Sequence, residues 1–513
     1  MSVRVEERPD TERVAITGYE AITPLGLNVA DSVNTLRLGK SGIVKISDVL
    51  GEKLIDNEFL KKELVDVGGL VVGFNAEDYL SPTDLRKTHR SAHLIYAAGM
   101  RALVQAGVVR EVPPPFKGNA EDFIASMFPD SKGNAPKDPT LAERFGVSPD
   151  SESLLVNVNP HRAGILLGSG VGGSVSAADI EAKSLYHKAK RALTGLVEEE
   201  LLNSKLREIF SGEGRDIFPD EKKEPVKSPY WILEVLPDRV LDLLANKGGF
   251  RGRGRLGISA CASALAAMGD AYEDIYYDHA DLMLTGGTEG AMERIGYGSF
   301  ATMQALNLTD DPTEASRPFF GGNGFVMAEG AGAFVFERMS HAKARGAEIY
   351  GEILGWDTRL DGHDDTSPRD KGEGAVITMR LALEAAGISP DEVDLVSTHG
   401  TSTPLGDLAE LLALLEVFGE EKMKTLPVLS TKGYHGHALG ASGAIELAIA
   451  MELAREGFLP ANWNPNKREP ILEGVDLLAN GRENYHPRII LKNSFGFGGK
   501  NTSMVIAVYP KTA

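Results

Sequence analysis

Cysteine is almost absent from this chain: Cys261 is the only one in 513 residues, which excludes any intrachain disulfide and fits a reducing compartment. No apolar run is long enough to cross a bilayer. The start, Met1 to Thr17, is charged. It lacks both the apolar centre of a secretory signal and the Arg/Ser-rich, acid-poor character of a transit peptide, so a cytoplasmic location without a membrane span is expected. Positive charge is scarce too, with 54 Lys and Arg against 73 Asp and Glu. The resulting net charge of −19 argues against nucleic acid or an anionic membrane as the main partner, while leaving room for a local basic patch.

What is present is a chain long enough for two or more packed units, or one large duplicated unit, with 42% hydrophobic residues to fill the interior. Strands and helices alternate. A strand at Val14–Thr17 leads into a Gly/Pro turn, and an amphipathic helix follows at Ala92–Gly107. Residues 110–160, with Pro113-Pro114-Pro115, and 186–230 have no sustained period and are expected to be insertions. Strands recur at Arg162–Ser169, Asp281–Thr288 and Ala331–Glu337. From Ile349 the pattern restarts with a strand to Trp356, a helix at Gly374–Gly387, a strand at Leu395–His399 and a helix at Leu405–Phe418. A strand at Pro427–Ser430 and a helix at Ala438–Gly457 follow, and two strands, Ile489–Phe495 and Thr502–Tyr509, end the pattern. Two portions, 1–340 and 341–513, are therefore expected to share a duplicated α/β plan.

Cys261 lies between a segment expected to be a short buried strand, Arg255–Ala260, and a helix, Ala262–Tyr277. At such a turn the free N–H groups and the positive helix end can lower a thiol's pKa from its usual ~8.5. A lone cysteine is also commonly an inert, small apolar residue, and the turn alone leaves both readings open. The glycines of Gly168-Ser169-Gly170-Val171-Gly172-Gly173 lack the full context of a dinucleotide site and suit close backbone packing. Three further segments carry chemistry: His399-Gly400-Thr401-Ser402-Thr403 at a strand end, Lys432-Gly433-Tyr434-His435-Gly436-His437, and Asn493-Ser494-Phe495-Gly496-Phe497-Gly498-Gly499. His435 and His437, two apart, would share the face of a strand and raise a metal site as an alternative, against which Lys432 adds positive charge and no carboxylate stands at ligand spacing. A turn-exposed thiol, two histidines and a buried lysine together suit carbonyl chemistry at a thioester.

In order, the motifs Val14–Gly18 with Thr23–Gly26, Gly168–Gly173, Ala260-Cys261, Ser316–Phe319 with Gly324–Gly332, His399–Thr401, Lys432 with Gly436-His437, and Phe495–Gly499 resemble those of the β-ketoacyl-acyl-carrier-protein synthases. The elongating type, synthase II, is the nearest in pattern. The resemblance implies a thiolase-like α/β fold, a duplicated α-β-α-β-α layered architecture with mixed sheets. It implies decarboxylative Claisen condensation of a malonyl unit with an acyl chain, both delivered by acyl carrier protein, in a homodimer that needs no cofactor and no metal.

Carried over residue by residue, the resemblance makes Cys261 the acyl-accepting nucleophile and His399 and His437 the imidazoles that hold the malonyl carbonyl. Lys432 would pair with Glu410 to orient them. The N–H groups of Cys261 and Phe497 would form the oxyanion hole, with Phe497 also gating the acyl pocket. Phe495, Thr401 and Thr403 would line the substrate site, and Arg86 and Lys87 would meet the carrier protein. The sequence departs from the family at Phe320-Gly321-Gly322-Asn323, at Arg251-Gly252-Arg253-Gly254-Arg255, at His435 and at Ala262. A chain-length-factor-like subunit and a histidine-metal hydrolase are the alternatives. The first usually lacks the cysteine or a histidine, and all are present here.

Overall fold

The computed structural model describes residues 8–50, 66–85, 87–109, 155–170, 236–292 and 294–511. Ten strands form one mixed sheet: β1 (Val14–Ile22), β2 (Ala163–Gly168), β3 (Gly254–Gly257), β4 (Leu282–Glu289), β5 (Gly330–Arg338), β6 (Gly351–Leu360), β7 (Leu395–Ser397), β8 (Val428–Leu429), β9 (Ile489–Gly496) and β10 (Lys500–Val508). Their order across the sheet is β8-β7-β9-β10-β6-β1-β5-β4-β2-β3. Outward from the central β1/β6 contact, each half runs through two antiparallel pairings and then two parallel ones. The two halves thus repeat one topology, β3-β2-β4-β5-β1 and β8-β7-β9-β10-β6.

Five helices complete the layers: α1 (Arg90–Gln105), α2 (Ser263–Tyr276), α3 (Glu373–Ala386), α4 (Pro404–Met423) and α5 (Ser442–Glu456). Helix α1 covers the outer face of the first half, α3 with α4 covers that of the second, and α2 and α5 lie in the middle against strands of both. Central position explains composition. The segment Ser-Gly-Ala-Ile-Glu-Leu-Ala-Ile-Ala-Met of α5 is buried on all sides, as expected for a helix without a polar face. The same layers explain Gly168, where a β-carbon would stand 2.2 Å from the carbonyl carbon of Ser263 at the start of α2. The glycine turn therefore serves helix-to-strand contact.

Two expectations need correction. The segment before Cys261 is not a buried strand: β3 ends at Gly257, is the last strand of the sheet among the described residues, and leaves Ile258 59% exposed. A strand with a single neighbour presents one edge and much of its surface. His435 and His437 do not share a strand either, because Lys432–His435 is one helical turn and Gly436 breaks it at φ 77. The segment 171–235 and most of the expected insertion at 110–160 fall outside the described residues.

Candidate active site

Cys261 sits on the turn between β3 and α2, immediately after Ala260, whose φ of 49 is left-handed. A side chain at positive φ is strained by about 1–2 kcal/mol. Local hydrogen bonds hold it there: the Ser259 N–H donates to Ser263 Oγ at 2.7 Å, and Ser263 Oγ donates to the Ala260 carbonyl at 2.6 Å. The thiol is partly buried and packs against an apolar cluster that includes Ile46, Leu70, Met292, Phe325 and Leu439. Burial pushes the Cys261 pKa up to about 12, against a smaller downward pull from the Lys432 ammonium. Burial of the thiolate thus acts against the lowering expected from the helix end.

The Gly496-Phe497 loop closes over this turn. A β-carbon on Gly496 would stand 3.0 Å from the Ser259 oxygen and 3.1 Å from the Cys261 nitrogen, so a larger residue there would push the strand end off the turn by a few tenths of an ångström. Phe495 packs from the same strand onto His399, with ring centroids 5.9 Å apart.

His399 follows the end of β7, and its ring meets His437 edge-on at 5.4 Å. The His437 backbone is clamped by Val326 and Ala328: its N–H donates to the Val326 carbonyl at 2.7 Å and its carbonyl accepts from Ala328 at 3.0 Å. Its ring stands edge-on to Phe325 at 5.2 Å and its Nδ1 lies 2.9 Å from Ser442 Oγ. His399 Nδ1 is buried and has no hydrogen-bond partner among the described residues. Both imidazoles are held well below the usual histidine pKa, first by burial, then by the Lys432 charge. They are therefore neutral at pH 7, each with one N–H to offer.

Lys432 is fully buried, donates to the His399 carbonyl at 2.5 Å, and is ion-paired with Glu446 on α5. The expected Lys432–Glu410 pair does not form. Glu410 instead accepts the backbone N–H groups of His399 at 2.8 Å and Gly400 at 2.7 Å. It fixes the turn that carries His399, whereas Glu446 is the lysine's partner. A carboxylate alone in an otherwise apolar stretch of α5 was the signal in the sequence for Glu446.

Thr401 and Thr403 face each other, Oγ1 to Oγ1, at 3.0 Å. Asp407, also missed, ties their loop down: its carboxylate accepts from the Ser402 N–H at 3.0 Å and the Phe319 N–H at 2.7 Å, at two residues that both have φ 69. Burial raises the Asp407 pKa to about 7. His435 turns away from the pair and meets Thr431 Oγ1 at 2.9 Å, so it does not join His399 and His437 as a ligand set. Lys87 follows the short helix Pro82–Leu85, and its carbonyl accepts from Arg239 Nε at 3.4 Å. Arg86 lies outside the described residues.

The family model for the β-ketoacyl synthase N-terminal domain matches residues 11–187 and 228–342, and that for the C-terminal domain matches 350–466. The chain belongs to the β-ketoacyl synthase family. Among relatives of this synthase, the 3-oxoacyl-[acyl-carrier-protein] synthase 2 of Vibrio cholerae is 32% identical over 497 residues, which covers 96% of this chain and 98% of that protein. The mitochondrial 3-oxoacyl-[acyl-carrier-protein] synthase of Arabidopsis thaliana is 38% identical over 291 residues, 56% of this chain and 63% of that one. A solved β-ketoacyl synthase from Burkholderia phymatum superposes with a TM-score of 0.72 at 25% identity, over 97% of this synthase and all of that chain.

Proposed function

We propose that this synthase condenses a malonyl group with an acyl chain, both delivered by acyl carrier protein, through an acyl thioester on Cys261. The Cys261 thiol attacks the carrier thioester, and its proton leaves with the carrier thiol. The chain, now on Cys261, lies in the apolar cluster of Ile46, Leu70, Met292 and Phe325. Malonyl-carrier protein then binds with its thioester carbonyl between His399 and His437. The carbon–carboxylate bond breaks, carbon dioxide departs, and the electron pair moves to an enolate oxygen that both imidazole N–H groups stabilise. The enolate carbon attacks the Cys261 thioester carbonyl, whose oxyanion is held by the N–H groups of Cys261 and Phe497. Collapse expels the cysteine, which regains a proton, and a 3-oxoacyl-carrier protein is released.

The observation that carries this reading is the neutral, buried imidazole pair 5.4 Å apart, one ring nitrogen of which lacks a protein partner among the described residues. Neutral N–H donors fixed before reaction are what a developing oxyanion needs, and each typically contributes ~10²–10³ in rate. The role proposed for His437 needs its proton on Nε2, with Nδ1 accepting from the Ser442 hydroxyl 2.9 Å away. Lys432, Glu446 and Glu410 position the rings, and Thr401, Thr403 and Phe495 line the malonyl side. Phe497, flanked by three glycines, gates the acyl pocket. The N-terminal unit, 1–340, supplies the nucleophile and the C-terminal unit, 341–513, the histidines and lysine.

Arg86 and Lys87 meet the acidic carrier protein. A homodimer is the proposed assembly: among the described residues β3 has no outer neighbour, and Ile258 just beyond it is exposed, which suits a second copy. No helix among the described residues is long and apolar enough to cross a membrane. A catalytic thiol is maintained in a reducing compartment, which makes the cytoplasm the proposed location. Incubation with a panel of acyl-carrier proteins and malonyl-carrier protein, followed by mass measurement of the products, tests the activity. Condensed 3-oxoacyl products are expected, and carbon dioxide release without any condensed product from the panel would refute the reading. On the same panel, Phe497→Ala is expected to alter chain-length preference with little change in melting temperature.

A further inference from the structure

A second lysine is buried beside the first, and the mechanism above does not use it. Lys492, on β9, is 0% exposed, a placement that desolvation makes costly unless the ammonium finds several oxygen partners. It finds four. Its Nζ donates to Glu446 Oε2 at 2.6 Å, the Asn493 carbonyl at 2.7 Å, the Thr398 carbonyl at 3.1 Å and, at the limit, the Ser397 carbonyl at 3.5 Å. Strand β7 ends at Ser397, so the chain departs from the sheet here and the Thr398 carbonyl needs a donor from elsewhere. Thr398 precedes His399, whose own carbonyl is held by Lys432. Two ammonium groups thus grip two consecutive carbonyls at the root of His399, and one carboxylate, Glu446, bridges both.

We propose that Lys492 is a positioning residue for the malonyl half-reaction, fixing the backbone that carries His399 and, through the shared Glu446, the pose of Lys432. Simple filling of a strand end would need one neutral donor. Here the second positive charge is what lets Glu446 serve two lysines, and the Lys432 pair alone would leave its other oxygen buried without a partner. The groups that face Lys492 are Glu446 on α5, Glu410 on α4, Lys432 on its short helix, and the nearby imidazoles of His399, His435 and His437. Burial and the Lys432 charge lower the Lys492 pKa to about 8, while Glu446 and Glu410 pull upward. The ammonium therefore persists below that pH and is lost as the pH rises through it. With it goes the brace on Thr398.

The inference rests on the condensing reading above, so the readout is release of carbon dioxide from malonyl-carrier protein, compared with acyl loading of Cys261. Lys492→Met is expected to slow decarboxylation by about tenfold or more, to slow loading far less, and to remove an alkaline fall centred near pH 8. Lys492→Ala should regain decarboxylation when methylammonium is added. A Lys492→Met protein that decarboxylates at the parent rate with the parent pH profile overturns the proposal. Equal loss of both half-reactions without methylammonium rescue also overturns it, since that is what a purely structural residue would give. If neither variant folds, Lys492→Gln, which keeps a neutral donor without the charge, decides: decarboxylation at the parent rate refutes the role of the Lys492 ammonium, and a selective loss of decarboxylation over loading supports it. A parent protein that releases no carbon dioxide at any pH refutes the condensing reading instead.

Discussion

The corner after β3 and the corner after β8 occupy equivalent places in the repeated topology, yet one presents a thiol and the other a buried ammonium. After β3 the chain makes a strained turn at Ala260 and offers Cys261 to an apolar cluster. After β8 it makes one helical turn, in which Lys432 and His435 are both buried. Their outer edges differ in the same sense. The β8 edge is sealed by the chain itself, through the Val428 N–H to the Asp476 carbonyl at 2.9 Å and Asn462 Nδ2 to the Val428 carbonyl at 2.8 Å. Among the described residues the β3 edge has no strand beyond it. The sealed corner supplies the low-dielectric setting in which burial, and then the Lys432 charge, keep the histidines neutral, whereas Ile258, beside the other corner, is exposed.

The comparison breaks most completely at the thiol. Cys261→Ala is expected to abolish acyl loading and condensation while the fold persists, and an acyl adduct on the variant by mass spectrometry would show that the nucleophile lies elsewhere. On the histidine side, His399→Ala and His437→Ala should each lose ~10²–10³ in decarboxylation while still accepting an acyl group on Cys261. Parent-rate carbon dioxide release by either variant removes that residue from the role.

Glu446→Gln sharpens the contrast between the sealed and open corners, because it strands two buried ammonium groups. A loss of about 3–5 kcal/mol in denaturant unfolding is expected, and a loss under about 1 kcal/mol would mean that solvent already reaches the site. The thiol provides a pH test. With its pKa pushed up to about 12 by burial, the free protein's Cys261 stays protonated at neutral pH, and its alkylation rate should keep climbing past pH 9 instead of levelling off. A plateau below pH 8 would restore the lowered value that the helix end implies. The smallest effect belongs to Arg86 and Lys87, where reversal of both charges should raise the KM for carrier-linked substrates several-fold and leave a small thioester nearly untouched. Equal losses on both substrates would point to folding damage.

Most strand and helix positions are legible in the order of residues alone, because alternating Val/Ile/Leu runs and Gly-bounded helices carry their own period. So are the candidate residues Cys261, His399, Lys432 and His437, which stand in segments of small residues, the first three of them shortly after a strand. The partner of Lys432 is not. Glu410 and Glu446 each sit on a helix with apolar residues on both sides, and nothing in spacing along the chain says which faces the lysine. Only the packing of α5 between the half-sheets brings Glu446 to it. Lys492 is hidden for a related reason, since a lysine in a strand is ordinarily solvated and its burial depends on where β7 stops. The order of elements and the residue types at their ends are set along the chain. Packing in three dimensions sets which charges meet and how far burial pushes the Cys261 thiol up. These are properties of distance and dielectric, and neither is written along the chain.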